Sequence, residues 1–341
     1  MKYLQQIVEG RDLSVLEAEA LLGEVFERAT DGEIGAVLVA LKMKGESVSE
    51  IAGLARAMRS SSLRISPQVF GPLVDTCGTG GDGSNTINVS TAAAIVAASC
   101  GAFVAKHGNY AVSSACGSAN VLSELGVEVA PGPEQVCEAI ETLGIGFMLA
   151  PVFHPSMKRV ASIRRELSMR TVFNILGPLT NPAGAPFQLM GVYDPALCDK
   201  LAAALKVLGA ERAMVVHGSG LDEITNTGPT RICELHEGNL SSQTVTPQDF
   251  GYPLAEIGDI RGGTPQENAA KLVEILSGER GPGRDIVAMN AGAALSVTGI
   301  AETLFEGARM AEDAIDSGRG LEKLKRMVSS CGSPEKLERF L

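Results

Sequence analysis

From Pro72 onward, short apolar runs alternate with amphipathic stretches, and few folds accommodate that order. PLVDTC reads as a strand, Ser90 to Gly101 as a helix and AFVAK as a strand. PEQVCEAIETLG, from Pro133, reads as a helix, and GFMLA as a strand. FQLMGVYD, the helix after Pro195 and RAMVVHG form a further βαβ unit. Such alternation specifies a mostly parallel sheet with helices on its faces. The sixty-odd residues before Pro72 differ. Ser14 with Glu17 and Ser47 with Glu50 have capping-box spacing. Ile34, Val37, Leu38 and Leu41 recur at helical spacing, as do Ile51, Leu54, Ala55 and Met58, and Gly45 ends a helix. The expected fold class is α/β, with a small N-terminal helical domain (residues 1–65) and a larger α/β domain (residues 70–341) around a mostly parallel central sheet. Helices around residues 155–185 are expected to join the small domain. RTVFNILGPLTNPAG, residues 170–184, reads as a connector or hinge because it is dense in Gly, Pro and Asn.

Composition removes several classes of function. The chain is 341 residues long, with a net charge of −11 and no basic block, so nucleic acid is not an expected partner. MKYLQQIVEGRD lacks the apolar centre of a secretory signal. The most apolar window, Ala92 to Ala105, is too short to cross a bilayer, so no membrane association is expected. The seven cysteines are odd in number and have no CxxC spacing, which points to free thiols and a cytoplasmic location. Cys233 and His236, in RICELHEG, follow strand periodicity and are read as strand residues rather than zinc ligands.

The stretch DTCGTGGDGSNTINVST, residues 75–91, holds four glycines in the six positions from Gly78 to Gly83. It contains GxGxxG, but no Asp or Glu lies between Asp82 and Glu124, as a dinucleotide site would need, and the Gly-Lys-Ser/Thr of a P-loop is absent. The physics of anion binding remains. Glycines permit φ > 0, so successive N–H groups can face one concavity, and a following helix N-terminus adds partial positive charge. Asn88, Ser90 and Thr91 stand where that helix begins. A glycine-rich hairpin followed by an N-cap would account for this stretch taken alone.

Three further clusters add chemistry. KHGNYAVSSACGSAN, Lys106 to Asn120, surrounds a lysine and a histidine with serines and backbone donors and has no carboxylate, which suits a phosphate monoester. GSGLDEIT, residues 218–225, places Asp222 beside Glu223 after a strand end. Paired carboxylates next to phosphate are a usual arrangement for Mg²⁺. HPSMKRVASIRRELSMRTVFN, from His154, carries five basic residues on a helix. One of its arginines turned inward could grip a carboxylate with two hydrogen bonds.

Together CGTGGDG, NVST, KHGN…SSACGSAN, RRELSMRTVFNILGPLTNP and GLDEI resemble the anthranilate phosphoribosyltransferase family in order and spacing, over nearly the whole chain. The resemblance implies a nucleoside phosphorylase/phosphoribosyltransferase-like fold, assembled as a homodimer through the helical domain. It implies that anthranilate's amine displaces pyrophosphate from C1 of phosphoribosyl pyrophosphate (PRPP) with Mg²⁺ present. Carried over residue by residue, Gly78, Gly81, Asp82, Thr86, Asn88, Val89, Ser90 and Thr91 would line the PRPP site. Lys106, His107, Gly108, Asn109, Tyr110, Ala111, Val112, Ser113, Ser114 and Ser118 would complete it. Ser90, Asp222 and Glu223 would hold magnesium, while Gly78, Asn109 and Arg164 would face anthranilate. His107 is available to accept a proton, although an uncharged aromatic amine requires no base before attack. Two positions depart from the family pattern: Tyr110 stands where Arg is common, and Asn120 where the serine motif commonly ends in Asp. A pyrimidine nucleoside phosphorylase-like enzyme and a non-catalytic nucleic-acid-binding relative share the fold. The Asp-Glu pair and GTGGD loop argue against the first, and the acidic balance argues against the second.

Overall fold

The structure, a computed structural model, describes residues 1–111 and 115–341. Four helices open the chain: α1 (Leu4–Val8), α2 (Val15–Glu27), α3 (Asp31–Lys44) and α4 (Val48–Ser60). Ser14/Glu17 and Ser47/Glu50 close capping boxes, and Thr30/Glu33 closes a third that starts α3. Gly45 ends α3 with φ +83°.

The α/β region begins with β1 (Leu73–Gly78), α5 (Val89–Ser99), β2 (Phe103–Gly108), α6 (Ser118–Glu124), α7 (Pro133–Leu143) and β3 (Ile145–Leu149). The helices α8 (Ala150–Phe153), α9 (Lys158–Leu167) and α10 (Phe173–Leu176) follow. β4 (Phe187–Gly191), α11 (Leu197–Val207), β5 (Arg212–Gly218), β6 (Thr230–His236) and β7 (Asn239–Val245) complete the sheet. The chain closes with α12 (Pro265–Leu276), α13 (Pro282–Val297), α14 (Leu304–Asp316), α15 (Arg319–Cys331) and α16 (Pro334–Leu337).

Among the described residues the sheet has the order β3-β2-β1-β4-β5-β6-β7. The five strands from β3 to β5 are parallel, and β6 and β7 are antiparallel. The chain starts in the middle of the sheet, runs outward to β3, then returns to the other side of β1 with β4. Ligands gather outside the carboxyl ends of strands at such a switch point. One core packs α5, α13 and the C-terminal helices on one sheet face. A second core runs from α1–α4 through α9, α10 and α11 onto the other face at Met190, Ala213 and Val215.

Two segments differ from the expectation. RTVFNILGPLTNPAG does not run as an exposed hinge: Val172, Phe173, Ile175, Leu176 and Leu179 are buried in the helical core. Its Gly and Pro shape α10 and a 3-10 turn at Gly177–Thr180 instead of a loop. β7, NLSSQTV, was not foreseen because its exposed polar face carries no apolar alternation. It is registered by a two-residue hairpin, Glu237 and Gly238, both at positive φ. Cys233 and His236 lie in β6 on opposite faces, Cys233 buried and His236 exposed, as strand residues do.

Candidate active site

Three loops meet at the carboxyl ends of β1, β2 and β5. The glycine loop leaves β1, and the Asp-Glu loop leaves β5. The two strands are separated only by β4, so Asp222 reaches under the glycine loop. Asp222 Oδ2 accepts from Gly80 N–H at 2.7 Å. This approach needs bare backbone on both neighbouring strands. A Cβ on Gly78 would stand 2.3 Å from Asp222 Oδ2, and one on Gly191 at the end of β4 would stand 1.5 Å from the Asp222 carbonyl oxygen. Gly80, Gly81 and Gly83 all have positive φ, the conformation for which their residue type is suited. Thr79 fastens the base of the loop: its N–H donates to Gly191 O at 3.0 Å, and its hydroxyl accepts from Tyr193 N–H at 3.1 Å.

Glu223 is half-buried and faces the first turn of α5. Ser90 N–H, in the first turn of α5, donates to Glu223 Oε1 at 3.3 Å. Lys106 in β2 is buried on the same sheet face, and its ammonium donates to Thr76 O at 2.6 Å and to Ser90 Oγ at 3.4 Å. Burial pushes the Lys106 ammonium below its ordinary range, against the pull of Asp75 and Glu223. Burial and the nearby Asp82 carboxylate raise Asp222 to about 7. Burial and the neighbouring Asp222 push Glu223 well up. Two adjacent carboxylates with one buried lysine leave negative charge uncompensated, so these oxygens suit a hard divalent cation. Among the described residues no cluster of three or more His, Cys, Asp or Glu can hold a metal. Mg²⁺ is commonly held by one or two carboxylates, with waters and substrate phosphates completing its shell.

The KHGN segment folds back over α6. Asn109 N–H donates to Ser118 Oγ at 3.2 Å, and Ser118 Oγ donates to Asn109 O at 3.3 Å. A Cβ on Gly108 would meet Ser118 Oγ at 2.3 Å. Asn109 Oδ1 accepts from Tyr110 N–H, and the Tyr110 side chain is exposed. Asn120 Oδ1 accepts from both Ala111 N–H (2.9 Å) and Gly117 N–H (3.1 Å), which closes this turn. Val112, Ser113 and Ser114 lie outside the described residues. Asn88 is occupied as a tie: its amide donates to Cys116 O at 3.2 Å, and its oxygen accepts from Asn268 at 2.8 Å. Thr86 bridges to Arg261, Val89 is buried, and the buried Thr91 hydroxyl has no partner among the described residues.

His107 follows Lys106 in the strand and so points to the opposite sheet face. Its ring lies 5.0 Å from that of His154, and both are buried. Burial and the second ring hold His107 down at about 3, and burial holds His154 at about 4. His107 is thus not brought together with Lys106, Asp222 and Glu223. Arg164 stands half-buried on α9, with its guanidinium 5.3 Å from the Phe173 ring centroid. Burial depresses its basicity, and among the described residues it has no ion-pair partner.

Some supporting residues escaped the sequence reading. Asn290 accepts from Ile224 N–H at 3.0 Å and donates to Ile224 O at 2.7 Å, which pins the residue after Glu223. A lone Asn in the apolar run DIVAMNAGAALSV was its available signal, because buried amides must be bonded. Gly191 and Tyr193 carried no such signal.

The residues from 71 to 321 match the glycosyl transferase family a/b domain, and those from 1 to 62 match the family's helical bundle domain. The anthranilate phosphoribosyltransferase of Methanococcoides burtonii is 53% identical over 326 residues, covering 96% of this chain and 92% of that one. The chain belongs to the anthranilate phosphoribosyltransferase family. The family's enzyme from Thermus thermophilus superposes with a TM-score of 0.92 at 43% identity, covering 97% of this chain and 99% of that one. The Saccharomyces cerevisiae enzyme, solved in complex with PRPP and Mg, has a TM-score of 0.88 at 28% identity and 96% coverage of both chains. Within this anthranilate phosphoribosyltransferase fold, the Asn120 departure preserves an acceptor: its amide oxygen takes the two backbone N–H groups that a carboxylate could take.

Proposed function

We propose that the protein transfers the phosphoribosyl group of PRPP to the amine of anthranilate, giving N-(5-phosphoribosyl)anthranilate and pyrophosphate in tryptophan biosynthesis. The observation that carries this reading is the Asp222–Glu223 pair held directly beneath a glycine loop, beside the buried Lys106. Ser90, Asp222 and Glu223 would hold Mg²⁺. When bound, the cation neutralises charge on the departing pyrophosphate. Gly78, Gly81, Asp82, Thr86 and residues 88–91, with Lys106 to Ser114 and Ser118, line the PRPP site in this reading. Backbone N–H groups of the loop and of the α5 N-terminus orient its phosphates. Arg164 grips the carboxylate of anthranilate, with Gly78 and Asn109 completing that subsite. A good leaving group attacked by a neutral amine needs orientation and charge neutralisation more than a base. The side chain of His107, buried against His154 on the opposite sheet face and held down at about 3, takes no part as a base in this reading.

Residues 1–65 with those around 155–185 form the small domain in this reading, and residues 70–341 the large one. The exposed Val8, Leu16 and Met43 of the bundle support a homodimer through that domain. No described helix is long and apolar enough to cross a membrane. We read the enzyme as cytoplasmic, with no nucleic-acid partner. The test is loss of anthranilate fluorescence on adding PRPP and Mg²⁺, with PRPP-free and EDTA controls. Unchanged fluorescence with active Mg²⁺ and fresh PRPP would overturn the reading.

A further inference from the structure

Arg170, the last of the basic residues in the stretch from His154, has no role assigned above, yet it reaches the glycine loop from the helical side. It follows α9, and residues 172–176 immediately after it are anchored in the helical core by Val172, Phe173, Ile175 and Leu176. Its guanidinium donates to Gly81 O and stacks over the Tyr193 ring, 4.0 Å from the centroid. Tyr193 is itself fixed, because its backbone N–H holds the Thr79 hydroxyl at the base of the same loop. The loop is therefore tied at three successive residues: Thr79 to Gly191 and Tyr193, Gly80 to Asp222, and Gly81 to Arg170. The first two ties come from the sheet and the third from the helical side. Gly81 has φ +77°, and a chain of glycines is otherwise costly to order.

We propose that Arg170 is a positioning residue for the PRPP site, holding the glycine loop in its phosphate-accepting shape by a hydrogen bond to Gly81 O while Tyr193 fixes the guanidinium plane. The inference rests on the reading of the loop as the PRPP cradle. A planar fork can stack and donate at once, which an ammonium cannot do in the same geometry. With Arg170 removed, PRPP binding must supply the ordering of the loop, so affinity falls while the bound complex remains competent. Arg170 is exposed, and its removal leaves no cavity.

The experiment compares wild type, Arg170→Ala and Arg170→Lys by steady-state kinetics with PRPP and anthranilate varied separately, and by thermal melting. Arg170→Ala is expected to raise the KM for PRPP about tenfold, the scale of one charged hydrogen bond. The KM for anthranilate, kcat and Tm should stay near wild type. Arg170→Lys should keep the raised KM, and guanidinium ion added to Arg170→Ala should lower it. A PRPP KM within about twofold of wild type in Arg170→Ala would overturn the proposal, as would an equal rise for both substrates or full recovery by lysine. If wild type itself transfers no phosphoribosyl group, the reading of the site has failed; an active wild type with an indifferent Arg170→Ala sinks only this inference.

Discussion

Gly78 and Asp222, 144 positions apart, touch so closely that no side chain fits between them: a Cβ on residue 78 would stand 2.3 Å from Asp222 Oδ2. The same oxygen accepts from Gly80 N–H at 2.7 Å, so the carboxylate cannot retreat without straining that bond. Gly78→Ala should therefore displace the carboxylate and lower kcat/KM on the order of 10²-fold, the cost of an ångström-scale misplacement. Far-UV circular dichroism should be unchanged. Near-normal turnover of Gly78→Ala would show that the position of Asp222 does not matter.

Asp222→Asn separates charge from shape. The amide oxygen can still accept from Gly80 N–H, so the loop should persist. Loss of the charge should raise the Mg²⁺ concentration for half-maximal activity about tenfold or more. A Mg²⁺ titration of activity checks this, and an unshifted curve would remove Asp222 from the metal shell.

Arg164 and Arg165 are neighbours with different surroundings. Arg164 is half-buried over Phe173 and lacks an ion-pair partner among the described residues, whereas Arg165 is exposed. Arg164→Ala should raise the KM for anthranilate about tenfold or more and change that for PRPP far less. Arg165→Ala, about 100° around the helix, should do little. If Arg165→Ala proves the more damaging, the wrong arginine has been assigned.

The paired rings of His107 and His154 make stability depend on pH. Their folded pKa values, about 3 and about 4, lie below the ordinary 6.5. Below about pH 6.5 the unfolded chain takes up protons that the folded chain refuses. The stabilisation is complete above that pH and is lost as pH falls toward 4, by up to ~1.4 kcal/mol per pH unit for each ring. The raised carboxyls of Asp222 and Glu223 act with the opposite sign, so the comparison must be between variants. His154→Phe keeps an aromatic ring at a site where, among the described residues, neither imidazole nitrogen has a hydrogen-bond partner. Denaturant melts at pH 7.5, 6 and 5 should show a shallower acid decline for this variant. Identical slopes would mean that His154 is charged, or solvated, in the folded protein.

Sequence alone determined what a few neighbouring residues decide. Capping boxes, the φ > 0 glycines, the strand–helix alternation and the order of the chemical motifs are all local, because propensity and backbone sterics act within a turn or two. The acidic pair, the glycine loop and the lysine–asparagine segment were all legible on that basis. Their meeting was not. Gly80 reaches Asp222 across 142 positions because the strand order puts β1 and β5 on either side of β4, and Arg170 reaches Gly81 across 89 because the residues after it pack into the helical core. Tertiary structure also separated what the sequence had joined: Lys106 and His107 are adjacent, yet the pleat sends one toward Ser90 and the other toward His154. It buried the Gly- and Pro-rich connector, because Phe173, Ile175 and Leu176 had a helical core to enter. It made a strand of NLSSQTV, because a tight hairpin presented that polar segment to the free edge of β6. In each case a contact distant in sequence outweighed the local preference, since burial and pairing across the fold supply more free energy than a residue's own conformational bias.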